Sequence, residues 1–151
     1  MSDQPQSLTI RTGIRLLVND DPDRVIAFDP DDVQFAERFY DLYRGMFGDV
    51  KRYEARAAEL DAVTETDENG WPVNAGERLV FQRELCQDMH AQIDALFGEG
   101  TARAAFGDSL SIDSIMQFFE GVMPFIKSAR AERVAKYAKP AAQGKGRKVM
   151  K

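Results

Sequence analysis

The stretch from Phe97 to Ala129 limits most what this chain can become. In order it holds Phe97-Gly98-Glu99-Gly100-Thr101, Ala105-Phe106-Gly107-Asp108, Gln117-Phe118-Phe119-Glu120-Gly121 and Pro124-Phe125-Ile126. Glycine reaches backbone conformations closed to other residues, so glycines this close to phenylalanines mark sharp bends or close packing. The stretch predicts a bend between packed helices, or a surface that docks a partner. It contains no set of side chains arranged for chemistry. It points away from an enzyme and towards a helical protein that works by being bound.

At 151 residues, with 44% hydrophobic side chains, one domain with a real core is expected. The net charge of −5 is unevenly spread. Between Lys127 and Lys151 nine basic residues face one acid, a local +8 that leaves −13 for Met1–Ile126. Basic tails of this kind often contact anionic partners. Cys86 is the only cysteine, which rules out an intrachain disulfide and suits a reducing cytoplasm. Met1–Ser7 carries no signal-peptide core, and no apolar run approaches the ~18 residues needed to cross a membrane. A soluble, intracellular protein is expected.

Along the chain, residues 1–7 are expected to be disordered. Residues 8–29 read as a β-hairpin. Leu8, Ile10 and Thr12 alternate with polar residues, Ile14, Leu16 and Val18 continue past Gly13, and Val25, Ile26 and Phe28 return after the turn signal Asn19–Asp23. Asp29-Pro30-Asp31-Asp32 starts a helix with Phe35, Phe39, Leu42, Tyr43 and Met46 on one face. A surface helix follows over about 51–63, then a loop over 64–76. A long helix over 77–97 carries Phe81, Leu85, Met89, Ile93 and Leu96, and Gly98-Glu99-Gly100 stops it. A short turn over 101–106 precedes a last helix, capped by Asp108 or Ser111 and ending near Ala138, with a kink expected at Pro124. Residues 140–151 read as a flexible basic tail. The fold class is mainly α: a single helical domain over 8–139 with a small N-terminal β-hairpin.

The chemistry-bearing residues read as structural. Cys86, His90 and Asp94 share one helix face, but a buried thiol beside a half-exposed His–Asp pair explains them better than a reactive or metal-binding set. The clusters Asp20–Asp23 and Asp29–Asp32 lack the alternation, the central glycine and the closing glutamate of a calcium loop, and read as turn and cap residues. Gly98-Glu99-Gly100 and Gly144-Lys145-Gly146 lack the spacing of a phosphate loop. No catalytic residue, metal ligand or cofactor site is expected. Nucleic-acid binding by Arg130, Arg133, Lys136 and Lys139 is disfavoured because the acidic body would repel it.

Phe118, Phe119, Val122, Phe125 and Ile126 cover more of the last helix than one core face needs. Part of this stripe is either core or a surface for a partner helix or second subunit. The order hairpin, aromatic helix, long helix ending Phe97-Gly98-Glu99-Gly100-Thr101, then Ala105–Asp108, Gln117–Gly121, Pro124–Ile126 and a basic tail resembles a known family. It is similar to the small tail assembly chaperones of long-tailed bacteriophages and prophages of Gram-positive hosts. The resemblance implies a non-enzymatic protein of the host cytoplasm, absent from the finished virion. It would coat the tape-measure protein, keep it soluble, help recruit the major tail tube protein and possess the capacity to form a homo-oligomer. With that role, Phe118, Phe119, Met123, Phe125 and Ile126 would include the client or self-association surface, and Met89, Met116 and Met123 would add adaptable side chains. The alternatives are a tail or connector protein retained in the virion and a small DNA-binding regulator.

Overall fold

A computed structural model describes residues 4–48 and 51–149 of the chain, with side chains to residue 131. Its elements are β1 (Ile14–Val18), β2 (Asp21–Phe28), α1 (Val33–Phe47), α2 (Glu54–Asp61), α3 (Ala75–Phe97), α4 (Thr101–Phe106) and α5 (Ile112–Val149). The fold is mainly helical with an N-terminal antiparallel hairpin, as the sequence pattern predicts.

The hairpin turns at Asn19 and Asp20, both at positive φ (53° and 61°). Such a two-residue turn matches the twist of paired strands. The pairing then slips: Val18 faces Asp21, but Leu17 faces Val25, so Pro22, Asp23 and Arg24 bulge out of the ladder. Freed in this way, Arg24 reaches α4, where Nε and Nη2 each donate at 2.8 Å to the carbonyls of Ala104 and Ala105. Carbonyls in a helix's last turn lack partners within the helix, and a cation suits that end of the dipole.

Leu8, Ile10 and Thr12, expected as the start of the hairpin, belong to no strand. Two causes are visible. Gly13 sits at φ +86°, which turns the chain out of line with β1. Opposite, β2 ends at Phe28, because Asp29-Pro30 already leads into α1. No ladder remains for residues before Ile14.

The helices follow their apolar spacing. In α1, Asp32 accepts from the Gln34 N–H at 2.9 Å, and Phe35, Phe39 and Leu42 are buried. α2 buries Leu60. Its C-terminal end is held by Arg78 of α3, which donates to the carbonyls of Leu60 and Val63, both at 2.9 Å, and pairs with Asp61 at 3.0 Å. Buried Asn74 fixes that arginine, accepting from its Nε at 2.8 Å and donating to Leu60 O at 3.0 Å. α3 begins two residues earlier than expected and buries Cys86, Met89, Ile93 and Phe97.

The glycines after α3 do what their positions imply. Gly98 (φ 123°) and Gly100 (φ 92°) reverse the chain within three residues. Asp94 closes the turn by accepting from the Ala102 N–H at 2.8 Å, at the start of α4. Of the two candidate caps for α5, Ser111 fills the role, its Oγ accepting from Ser114 N at 3.1 Å. Gly121 is different: it lies mid-helix with open space beside it. α5 runs through Pro124 and on to Val149, past the end expected near Ala138. A proline removes one helix hydrogen bond, and the Ala, Lys and Arg residues around Pro140 favour helix against the cost of Gly144 and Gly146. Of the expected flexible segments, residues 1–3 and 150–151 lie outside the described residues, as do the side chains of Arg133, Lys136 and Lys139.

The core is aromatic. Phe97, at the end of α3, meets Phe28 of β2 (5.3 Å between ring centroids), Phe35 of α1 (5.2 Å) and Phe118 of α5 (5.1 Å), all edge-to-face. Phe119 extends the cluster to Phe39 at 5.7 Å and Phe47 at 5.4 Å. α1, α3 and α5 surround these rings, and the hairpin and α4 close over the end where α3 stops. Phe97→Ala is expected to cost about 3–5 kcal/mol in chemical denaturation. Leu79→Ala, on the exposed face of α3, should stay within about 0.5 kcal/mol.

Candidate partner-binding groove

Helix α1 carries two apolar strips. The first, Phe35, Phe39 and Leu42, faces the core. The second, Val33, Ala36, Tyr40 and Tyr43, recurs at i, i+3, i+7 and i+10 and runs along the neighbouring side. Facing it on α5 are Met123, Ile126, Lys127 and Arg130. Together they line an open groove of about 620 Å³, floored by Phe39 and Ile126. Val33 and Tyr40 are exposed at its rim, 57% and 58%.

Polar groups frame this apolar floor. Arg130 donates from Nη2 to Asp31 O at 2.8 Å, tying α5 to the start of α1. The Arg44 guanidinium lies 5.5 Å from the Tyr40 ring centroid, within cation–π range. Glu37 lines the α1 side and Lys127 the α5 side, so the groove has an acid and a base on opposite walls. Besides these charges and Arg130, the tyrosine side chains of Tyr40 and Tyr43 bring hydroxyl groups to a lining that is otherwise apolar.

The five residues singled out on α5 separate. Phe118 and Phe119 are core side chains, 9% and 1% exposed, and lie away from any surface a partner could touch. Ile126 is buried but reaches the groove floor, and Met123 is half-buried in its wall. Phe125 is exposed on a different side, in a cleft with Ile14, Pro30 and Pro124. Of the three methionines, Met89 is fully buried and only Met116 and Met123 reach the surface. Val33 and Tyr40 were not anticipated, although their helical spacing with Ala36 and Tyr43 was there to be seen.

Cys86, His90 and Asp94 do share one face of α3, each in a structural setting. Cys86 is buried, and burial pushes its thiol up, away from the reactive thiolate. His90 stacks on Phe106 at 4.8 Å, with Nε2 buried and without a hydrogen-bond partner among the described residues. Burial lowers its pKa, opposed in part by the charge of Asp94. Asp94 spends its carboxylate on α4. In the acidic clusters, Asp21 accepts from Asp23 N and Asp29 from Asp31 N, which are turn bonds. No group of His, Cys, Asp and Glu able to hold a metal ion occurs among the described residues.

A second groove of about 740 Å³ lies between α2 and α3. Glu77, Glu84 and Asp88 line it beside Val80 and Phe81. Two of its polar groups, Tyr53 and Asp88, are hydrogen-bonded to each other. The Tyr53 hydroxyl donates to Asp88, which also accepts from Gln92 at 2.8 Å. Burial, then Asp88, push the Tyr53 pKa up to about 12. This bond pins α2 to α3.

The fold is that of a small, mainly helical protein with an N-terminal β-hairpin. Residues 23–151 match a family described as "Family of unknown function (DUF6673)", and the chain belongs to that family. Neither the curated proteins nor the solved structures contain a match. Among the described residues, no helix is long and apolar enough to cross a membrane.

His90 gives a pH prediction. Its pKa in the fold lies below the ordinary 6.5, so the unfolded chain takes up the proton first as pH falls. The associated stability is fully present above about pH 6.5 and is lost as pH drops through the lower, folded value. Denaturation midpoints of the wild type and His90→Phe should keep a constant gap above about pH 7.5. The wild type should lose ground to the variant as pH falls below 6.5. Parallel curves across that range would mean that His90 does not titrate as its burial implies.

Proposed function

We propose that this chain is a non-enzymatic tail assembly chaperone that holds a helical segment of a phage tape-measure protein in the α1/α5 groove. It keeps that client soluble in the host cytoplasm until the major tail tube protein assembles around it, and does not remain in the finished virion. The observation that carries the reading is the groove itself: an apolar floor between two helices, with exposed Val33 and Tyr40 at the rim and opposite charges on the two walls. Grooves of this form take the apolar face of an amphipathic helix. Half-buried Met123 in the wall allows repacking against varied client residues. The strongly acidic body favours solubility of a complex with an otherwise insoluble helix. The similarity of the Phe97–Ala129 stretch to tail chaperones supplies the client class. Its phenylalanines mostly build the core, so the client-contacting residues on α5 narrow to Met123, Ile126, Lys127 and Arg130.

Co-expression with the longest neighbouring helical open reading frame tests this. The long protein should become soluble and co-purify with the chain. Tyr40→Glu should weaken that association at least tenfold, about 1.4 kcal/mol, while leaving thermal unfolding nearly unchanged, because Tyr40 is exposed. A client that stays insoluble while this chain elutes alone would contradict the reading. Recovery of the chain in finished particles would instead make it a structural tail component.

A further inference from the structure

We propose that Leu8–Thr12 is an exchanged strand: in a two-fold dimer, each copy lays this segment antiparallel along the open edge of β1 in the other. This goes beyond client binding and uses a different part of the molecule.

Three observations meet here. First, the sheet has two strands only, and β1 has no strand on its outer side among the described residues. A two-stranded hairpin is marginal alone, and an open edge invites pairing. β1 (Ile-Arg-Leu-Leu-Val) carries one charge and no proline, so little guards that edge. Second, Leu8 and Ile10 are 82% and 74% exposed, the most exposed large hydrophobic side chains among the described residues. They sit in an alternating apolar–polar segment that pairs with no strand in its own chain. Third, the segment and β1 are complementary to each other in one register.

That register centres the two-fold axis on Thr12. It sets Ile10 opposite Ile14, Leu8 opposite Leu16, Thr9 opposite Arg15 and Arg11 opposite Gly13, with Thr12 facing its own copy. Apolar pairs and a Thr–Thr pair are favourable cross-strand neighbours. Sliding by two residues in one direction puts Arg11 opposite Arg15, and in the other puts Arg11 opposite itself. Sliding by one turns Leu8 and Ile10 to the solvent face. Like charges and face parity thus exclude the neighbouring registers. In the favoured register Leu8 and Ile10 join the face of Ile14 and Leu16, which packs against the core. That face continues into the cleft lined by Ile14, Pro30, Pro124, Phe125 and Ala129, so the added strand also covers the exposed Phe125 ring. In the dimer Leu8–Thr12 runs in line with its own β1, so Gly13 straightens from the φ of +86° it has in the single chain, a change that glycine makes at no steric cost. The interface is isologous and closes at two copies.

Light scattering after size exclusion, with the full chain over a dilution series, reads the oligomeric state. A dimer is expected. Ile10→Lys should weaken it at least tenfold without altering the circular dichroism spectrum, because Ile10 makes no core contact. Thr12→Cys, on the axis, should oxidise to a covalent dimer, since facing Cβ atoms in an antiparallel pair come close to disulfide range. Thr9→Cys, opposite Arg15, should not. Buried Cys86 stays out of this reaction. A monomer at every concentration would overturn the proposal. So would a dimer that is indifferent to Ile10→Lys, or equal cross-linking from Thr9→Cys and Thr12→Cys.

Discussion

The structure depends on one ring. Phe97 stands where α3 ends, and its edge-to-face contacts gather β2, α1 and α5 around that point. Those rings come from positions 28, 35 and 118, so a single side chain joins the two halves of the sequence. Aromatic pairs in this geometry add about 0.5–1.5 kcal/mol each beyond area burial. The chain must then reverse immediately after Phe97, or α5 could not return across it. Gly98 and Gly100, both at positive φ, make that reversal possible. The aromatic density and the glycine spacing in this stretch are two sides of one requirement.

Around the apolar centre, half-buried polar groups are spent on helix ends. Arg24 serves the end of α4, Arg78 the end of α2 and Asp94 the start of α4. Each charge has the sign that the local helix dipole favours. Arg24 also locks the hairpin in place, since its target carbonyls lie some 80 residues away in the chain.

The helical stripes were legible because burial here follows period. Phe35, Phe39 and Leu42 in α1, and Met89 and Ile93 in α3, are buried where their spacing places them. The division of the α5 stripe was not legible. Phe125 lies one residue from Ile126 but about 100° around the helix, and only the position of α1 decides which side is covered. Leu8, Ile10 and Thr12 carry a strand's alternation, yet the ladder they would need is not supplied by β2, which ends at Phe28. The roles of Arg24 and Arg78 were not anticipated, because their partners are backbone carbonyls that local sequence does not reveal. The groove was half visible: its α5 wall was anticipated at Met123 and Ile126, its α1 rim at Val33 and Tyr40 was not.

The proposed function makes the α1/α5 groove the face that takes a helical client. Hydrogen–deuterium exchange of the chain, free and bound to a soluble fragment of the long helical neighbour, tests this most directly. The account predicts new protection concentrated in residues 33–43 of α1 and 123–130 of α5, with α2 and the facing side of α3 unchanged. Protection centred on the α2/α3 groove, or an unchanged α1, would contradict it.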